Sequence, residues 1–181
     1  ITVRLVGSEM CIRDSIIGIP NNPLIANINW SPNQKNIAFT NTSSDGVRLW
    51  VLNLESRSLT KLSDLKLNSN IGDVINWVND NEIIVKVIPE NKQNLIDQDG
   101  IVPMGPTISS NEGENAQNRT YQDLLKNKTD EFNFEQLVTS DLYLINLNGK
   151  TQKWLDADMY TSISPSPDGN FITVSYTHLT L

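Results

Sequence analysis

A serine nucleophile needs a partner base, and a metal cage needs several donors brought close together. This 181-residue chain has one Cys, Cys11, and one His, His178. A disulfide scaffold, a thiolate metal cage and a multi-histidine site are therefore excluded. The Gly-x-Ser-x-Gly elbow that presents a nucleophilic serine is absent. Asp97-Gln98-Asp99-Gly100 opens like a calcium loop, but the spacing to a bidentate Glu at position twelve fails. Lys61, Lys66, Lys86 and Lys92 form no patch, and the carboxylates are scattered. The sequence thus assigns no catalytic, cofactor-binding or metal-binding residue, and no cofactor is expected.

Composition narrows the partners. Hydrophobic residues make up 38% and charged residues 19%, with Asn, Gln, Ser and Thr filling the gap. The net charge of −7 argues against nucleic acid, since little here would displace counterions from phosphate. No apolar run approaches the roughly 18 residues of a membrane span. Sequons such as Asn41-Thr42-Ser43 and Asn118-Arg119-Thr120 follow from so much Asn and carry no message.

The two ends stand apart. Ser8 to Ser15 reads SEMCIRDS and Ser175 to Leu181 reads SYTHLTL. Both strings resemble translated adaptor read-through, and position 1 is not Met. Residues 1–15 and 175–181 are therefore expected to be non-native and to lie outside the fold proper. Both Cys11 and His178 go with them. Residues 16–174 then hold neither Cys nor His. With no leader to read, the compartment stays open, a soluble exported or periplasmic parent included.

An internal repeat organises what is left. Ile28-Asn29-Trp30-Ser31-Pro32-Asn33 returns 47 residues on as Ile75-Asn76-Trp77-Val78-Asn79-Asp80. It returns again at an offset of 135 as Ile163-Ser164-Pro165-Ser166-Pro167-Asp168. Leu49-Trp50-Val51-Leu52-Asn53-Leu54 matches Leu142-Tyr143-Leu144-Ile145-Asn146-Leu147 at an offset of 93. The mismatch between 47 and 93 locates an insertion inside the second unit, at residues 89–140.

Each unit reads as four short strands. In the first, a strand ends at Trp30, Ser31-Pro32-Asn33-Gln34 turns, and Asn36–Thr40 follows. Ser43-Ser44-Asp45-Gly46 turns into Val47–Leu54, apolar enough to be covered on both faces. Glu55-Ser56-Arg57 then leads to Ser58–Leu62. In the last unit the turn is Pro167-Asp168-Gly169-Asn170. Four strands at a period of about 45 residues are the mark of a β-propeller blade. The expected fold is all-β: a partial propeller of two to three four-stranded antiparallel blades with a partly helical insertion. The Trp residues are read as structural, closing one blade against the next.

The insertion changes character. Pro, Gly, Asn and Glu dominate its first part. One helix is expected after Thr120, with Asp123 completing a capping pair and Tyr121, Leu124 and Leu125 on its apolar side. A second is expected from a Thr129 cap, with Asp130 and Glu131 in its first turn, and Phe132, Phe134 and Leu137 beyond.

Several strings in the insertion and the last unit carry a family resemblance. They are Val102-Pro103-Met104-Gly105-Pro106, Arg119-Thr120-Tyr121-Gln122-Asp123-Leu124-Leu125-Lys126-Asn127 and Asp130-Glu131-x-x-Phe134-Glu135. Thr139-Ser140-Asp141-Leu142 and Tyr160-Thr161-Ser162-Ile163-Ser164-Pro165-Ser166-Pro167-Asp168 continue the match. Together they resemble the propeller domain of glutamyl endopeptidase-like members of the prolyl oligopeptidase family, over nearly all of residues 16–174. The resemblance implies a serine peptidase in two parts, cleaving after Glu. A propeller covers a C-terminal α/β-hydrolase domain that carries the Ser-Asp-His triad and meets the peptide substrate. This chain offers no position for the triad, so none is carried over. The expectation is a non-catalytic gating propeller whose hydrolase domain lies elsewhere. The alternative is a free-standing TolB-like propeller that binds proteins.

Overall fold

The computed structural model describes residues 18–97, 127–166 and 170–177, together with residues 16, 113 and 125. Cys11, Asp99, the Thr120 helix, the Pro167–Gly169 part of the last turn and His178 lie outside the described residues.

The first sheet is a meander. Strands β1 (Leu24–Trp30), β2 (Asn36–Ser43), β3 (Gly46–Asn53) and β4 (Ser58–Lys61) pair in chain order, all antiparallel. Short turns dictate that order, because two- to five-residue connections join only neighbouring antiparallel strands. In the β1–β2 turn the Ser31 hydroxyl accepts from the Asn36 amide at 2.9 Å and donates to Asn33 Oδ1 at 2.8 Å. Ser31 is thus held as a turn residue. Arg57 closes the β3–β4 turn at a φ of 56°.

The second sheet repeats the plan with β5 (Ile75–Asn79), β6 (Glu82–Val87), β7 (Ser140–Asn146) and β8 (Thr151–Asp158). The chain leaves this sheet after Val87 and returns at Ser140. A third, two-stranded sheet pairs β9 (Tyr160–Pro165) with β10 (Ile172–Tyr176). Thus β10 runs on through Ser175 and Tyr176, the first two residues of the terminal SYTHLTL string.

The repeat maps onto geometry. Trp30 pairs with Ile37, Trp77 with Ile83, and Pro165 with Ile172. These three residues hold the same register on the first strand of each sheet. Strand β5 packs against both β1 and β9. The sheets are therefore propeller blades stacked through successive innermost strands, two complete and one represented by two strands among the described residues.

Period-two alternation explains the two cores. On β6, Ile83, Val85 and Val87 join Ala38, Leu49, Val51 and Trp77 in the cluster between the first two blades. Ile84, one residue out of phase, packs with Leu142, Tyr160 and Ile163 against the third. Strand β6 is buried on both faces, and Ile83, Ile84 and Val85 are wholly enclosed. Trp77 fits the structural reading at 7% exposure, but Trp30 stands 53% exposed on β1.

Residues 92–137 form a second compact unit. The helix α1 (Lys128–Val138) carries Asp130 and Glu131 in its first turn, where the helix dipole favours acids. Its cap differs from the expected one. The Asp130 amide donates to Asn127 Oδ1 at 2.9 Å, so Asn127 caps the helix and Thr129 lies inside it. Asn133 fastens α1 to the chain before it, accepting from the Ile96 amide at 2.8 Å and donating to the Ile96 carbonyl at 2.9 Å.

Candidate functional site

Polar concavities of the bladed unit bring side chains together. The first is on the innermost strands. A cavity of about 200 Å³ is lined by Asn27, Asn29, Gly72, Asp73 and Asn76, among others. Its walls are fixed by a reciprocal clamp between the first two blades. Asn29 Nδ2 donates to the Ile75 carbonyl at 3.1 Å, and Trp77 Nε1 donates back to the Asn29 carbonyl at 3.1 Å. Farther along, Asp80 accepts from the Asn33 amide at 2.9 Å. Asn27 has a φ of 50° at the bulge between Ala26 and Asn29, and its side-chain Nδ2 donates to Thr40 Oγ1 at 3.0 Å. The Nδ2 of Asn76 is enclosed and has no hydrogen-bond partner among the described residues. Amides and a single carboxylate can hold a polar group here by hydrogen bonding.

The second is a groove of about 590 Å³ at the outer part of the second blade, lined by Glu90, Asp141, Tyr143, Lys153 and Asp156. Lys153 Nζ lies 2.9 Å from Asp141 Oδ1 and 3.0 Å from Asp156 Oδ1. Hydrogen bonds to these two carboxylates hold the Lys153 pKa well above the usual lysine range. The amine stays protonated, so it is neither a base nor a nucleophile at neutral pH.

The remaining polar groups serve the fold. Ser140 Oγ donates to the Val138 carbonyl, and the Tyr160 hydroxyl donates to the Asp156 carbonyl at 2.7 Å. Burial raises the Tyr160 pKa, with Asp158 and Asp156 adding to the shift. Asp97 is an exposed residue in the chain before the undescribed segment. Among the described residues, no three His, Cys, Asp or Glu side chains come together to hold a metal. No helix among them is long and apolar enough to cross a membrane.

The lysines meet different fates. Lys61 pairs with Asp64 at 2.5 Å and Lys66 with Asp45 at 3.3 Å, both in exposed positions. Lys86 is instead fully enclosed, at 1% exposure. By residue type alone it is one scattered lysine among several. The signal that sets it apart is its position, a lone cation inside the strand Ile83-Ile84-Val85-Lys86-Val87.

No family model matches the chain. It is 35% identical over 171 residues to a probable chloroplastic glutamyl endopeptidase of Oryza sativa subsp. japonica. It is 33% identical over 172 residues to a probable chloroplastic glutamyl endopeptidase of Arabidopsis thaliana. These matches cover 89% and 90% of this chain but only 18% of the length of each relative. Across nearly all of its length, the chain is homologous to one segment of the glutamyl endopeptidases.

Proposed function

We propose that this chain is the blade-forming part of a serine peptidase of the prolyl oligopeptidase family, of glutamyl endopeptidase type. In this reading it supplies no catalytic group. Its blades restrict which peptides reach an α/β-hydrolase domain carried by another part of the same polypeptide. The observation that carries the reading is the coincidence of two facts: successive blades stack through β1, β5 and β9, and the same residues align with a segment of glutamyl endopeptidases. The chemistry of the two concavities agrees with it. One offers amide hydrogen bonds, and the other offers a lysine locked between carboxylates. Either can contact a peptide, and neither pairs a nucleophile with a base.

The test compares two proteins with a fluorophosphonate probe and a Glu-containing peptide. One is the full-length product of the parent locus, and the other is the 181-residue chain. The full-length protein should label on one serine and cleave after Glu, while the chain alone should do neither. Labelling of the chain alone would end the proposal. So would a parent reading frame that encodes further blades and no hydrolase domain, which would favour a free-standing binding propeller.

A further inference from the structure

The junction between the second blade and the β9–β10 hairpin is built around one enclosed cation. Lys86 lies on β6, on the same side as Ile84, facing the hairpin. Its Nζ donates to the Ile71 carbonyl, in the connection before β5, and to the Tyr160 carbonyl at 3.3 Å, at the start of β9. One side chain therefore ties three parts of the chain together. Around it the backbones come close. The Asp73 amide donates to the Thr161 carbonyl at 3.0 Å, and the Lys86 amide donates to the Val74 carbonyl at 3.1 Å.

The donor count makes this brace sensitive to protonation. An ammonium has three N–H groups, and a neutral amine has two. Two main-chain carbonyls accept from Lys86, and no third acceptor among the described residues bonds to it. The charged groups on each side are few. From the connection before β5 comes Asp73, whose field favours the ammonium. From β9 comes Tyr160, which gives its carbonyl while its phenol bonds the Asp156 carbonyl. From β7 the facing partner of Lys86 is Leu142. Asp141, with Lys153, shares the opposite face with Tyr143 and Ile145.

We propose that Lys86 is a proton-gated brace between the second blade and the β9–β10 hairpin, which closes more tightly when Lys86 loses its proton. Desolvation lowers the Lys86 pKa to about 8, with Asp73 opposing the shift. The direction follows from linkage. When the hairpin opens, water reaches Nζ and its pKa returns toward the usual value of about 10.4, so the open state binds more protons. Rising pH through 8 therefore favours the closed junction. Between about pH 6.5 and about pH 9 the opening equilibrium should fall about tenfold.

Amide hydrogen exchange on the 181-residue chain, corrected for intrinsic rates, reads this directly. The Asp73 amide reports the junction, and the Leu54 amide, bonded to the Lys35 carbonyl, serves as a reference in the first blade. Asp73 protection should rise about tenfold from about pH 6.5 to about pH 9 while Leu54 stays level. Lys86→Met should abolish the rise. Lys86→Arg, charged throughout, should leave protection low and flat. Should either variant fail to fold, the Cε resonance of wild-type Lys86 decides, and its midpoint should mark the onset of the rise. Flat or falling Asp73 protection in wild type would overturn the brace. An unchanged rise in Lys86→Met, or a Lys86 midpoint above about 10, would overturn it as well.

Discussion

Replacing Gly72 with Ala should loosen the third blade more than any other Gly→Ala change among the described residues. Gly72 has a φ of +58°, which an L-residue adopts only at a cost of about 1 kcal/mol. A Cβ there would overlap the Thr161 carbonyl oxygen and approach the Thr161 carbonyl carbon to 2.7 Å and its Cα to 3.0 Å. Backbone cannot swing aside like a flexible side chain. Strand β9 must retreat by on the order of 1 Å, enough to weaken dispersion contacts sharply. That retreat stretches the Asp73–Thr161 hydrogen bond, worth about 1 kcal/mol. It also opens the packing of Tyr160 and Ile163 on Ile84 and Leu142, for at least about 1 kcal/mol more. The sum is about 3–4 kcal/mol, or on the order of 10 °C in melting temperature for a unit of this size. Gly46→Ala supplies the control. Gly46 also has a positive φ, +122°, but its Cβ would meet only the Arg48 and Lys66 side chains, at 3.4 Å or more. It should cost about 1 kcal/mol. Urea unfolding of both variants, followed by circular dichroism, measures the difference. Equal losses for the two would refute the argument that backbone contact at Thr161 is what requires glycine.

Asn127→Ala removes the cap of α1 and should lower the stability of the 92–137 unit by about 1 kcal/mol, read by helical ellipticity during thermal melting. Leu24, Ile28 and Trp30 are each more than half exposed on β1. The chain should therefore associate with itself at high concentration, and Trp30→Lys should shift sedimentation toward the monomer.

Much of the blade plan is legible in the sequence, because turns and alternation are local. Ser31-Pro32-Asn33 and Ser44-Asp45-Gly46 mark the hairpins, and the Ile-Asn-Trp repeat marks the innermost strands. Thr129 and Asn127 are both sound caps by residue type. Only the path of the backbone decides that Asn127 Oδ1 meets an amide while Thr129 is already helical. The role of Lys86 is hidden for a different reason. Its strand is apolar on both sides, but its burial depends on the third hairpin, whose sequence lies some 74 residues away. The exposed Trp30 follows the same logic: its repeat position matches Trp77, and its surroundings do not.

The repeat makes one further comparison sharp. Asn29 and Asn76 occupy the same place in successive blades, and so do Trp30, Trp77 and Pro165. Between the first two blades, Asn29 and Trp77 form both halves of a clamp. The second junction has Pro165 where the indole would stand, and proline offers no side-chain donor. Asn76 Nδ2 is enclosed without a hydrogen-bond partner among the described residues, and Lys86 ties the second junction instead. Equivalent substitutions should therefore have unequal effects. Asn29→Ala removes a bond to the Ile75 carbonyl and should cost about 1–2 kcal/mol. Asn76→Ala removes an amide nitrogen that has no partner among the described residues and should cost under about 0.5 kcal/mol, or stabilise slightly. In a double-mutant cycle with Trp77→Phe, Asn29 should couple by about 0.5–1 kcal/mol, because its carbonyl orients under the indole. Asn76 should couple weakly. Equal costs for Asn29 and Asn76 would mean that the two junctions use the same clamp, and that the assignment of the second one to Lys86 is wrong.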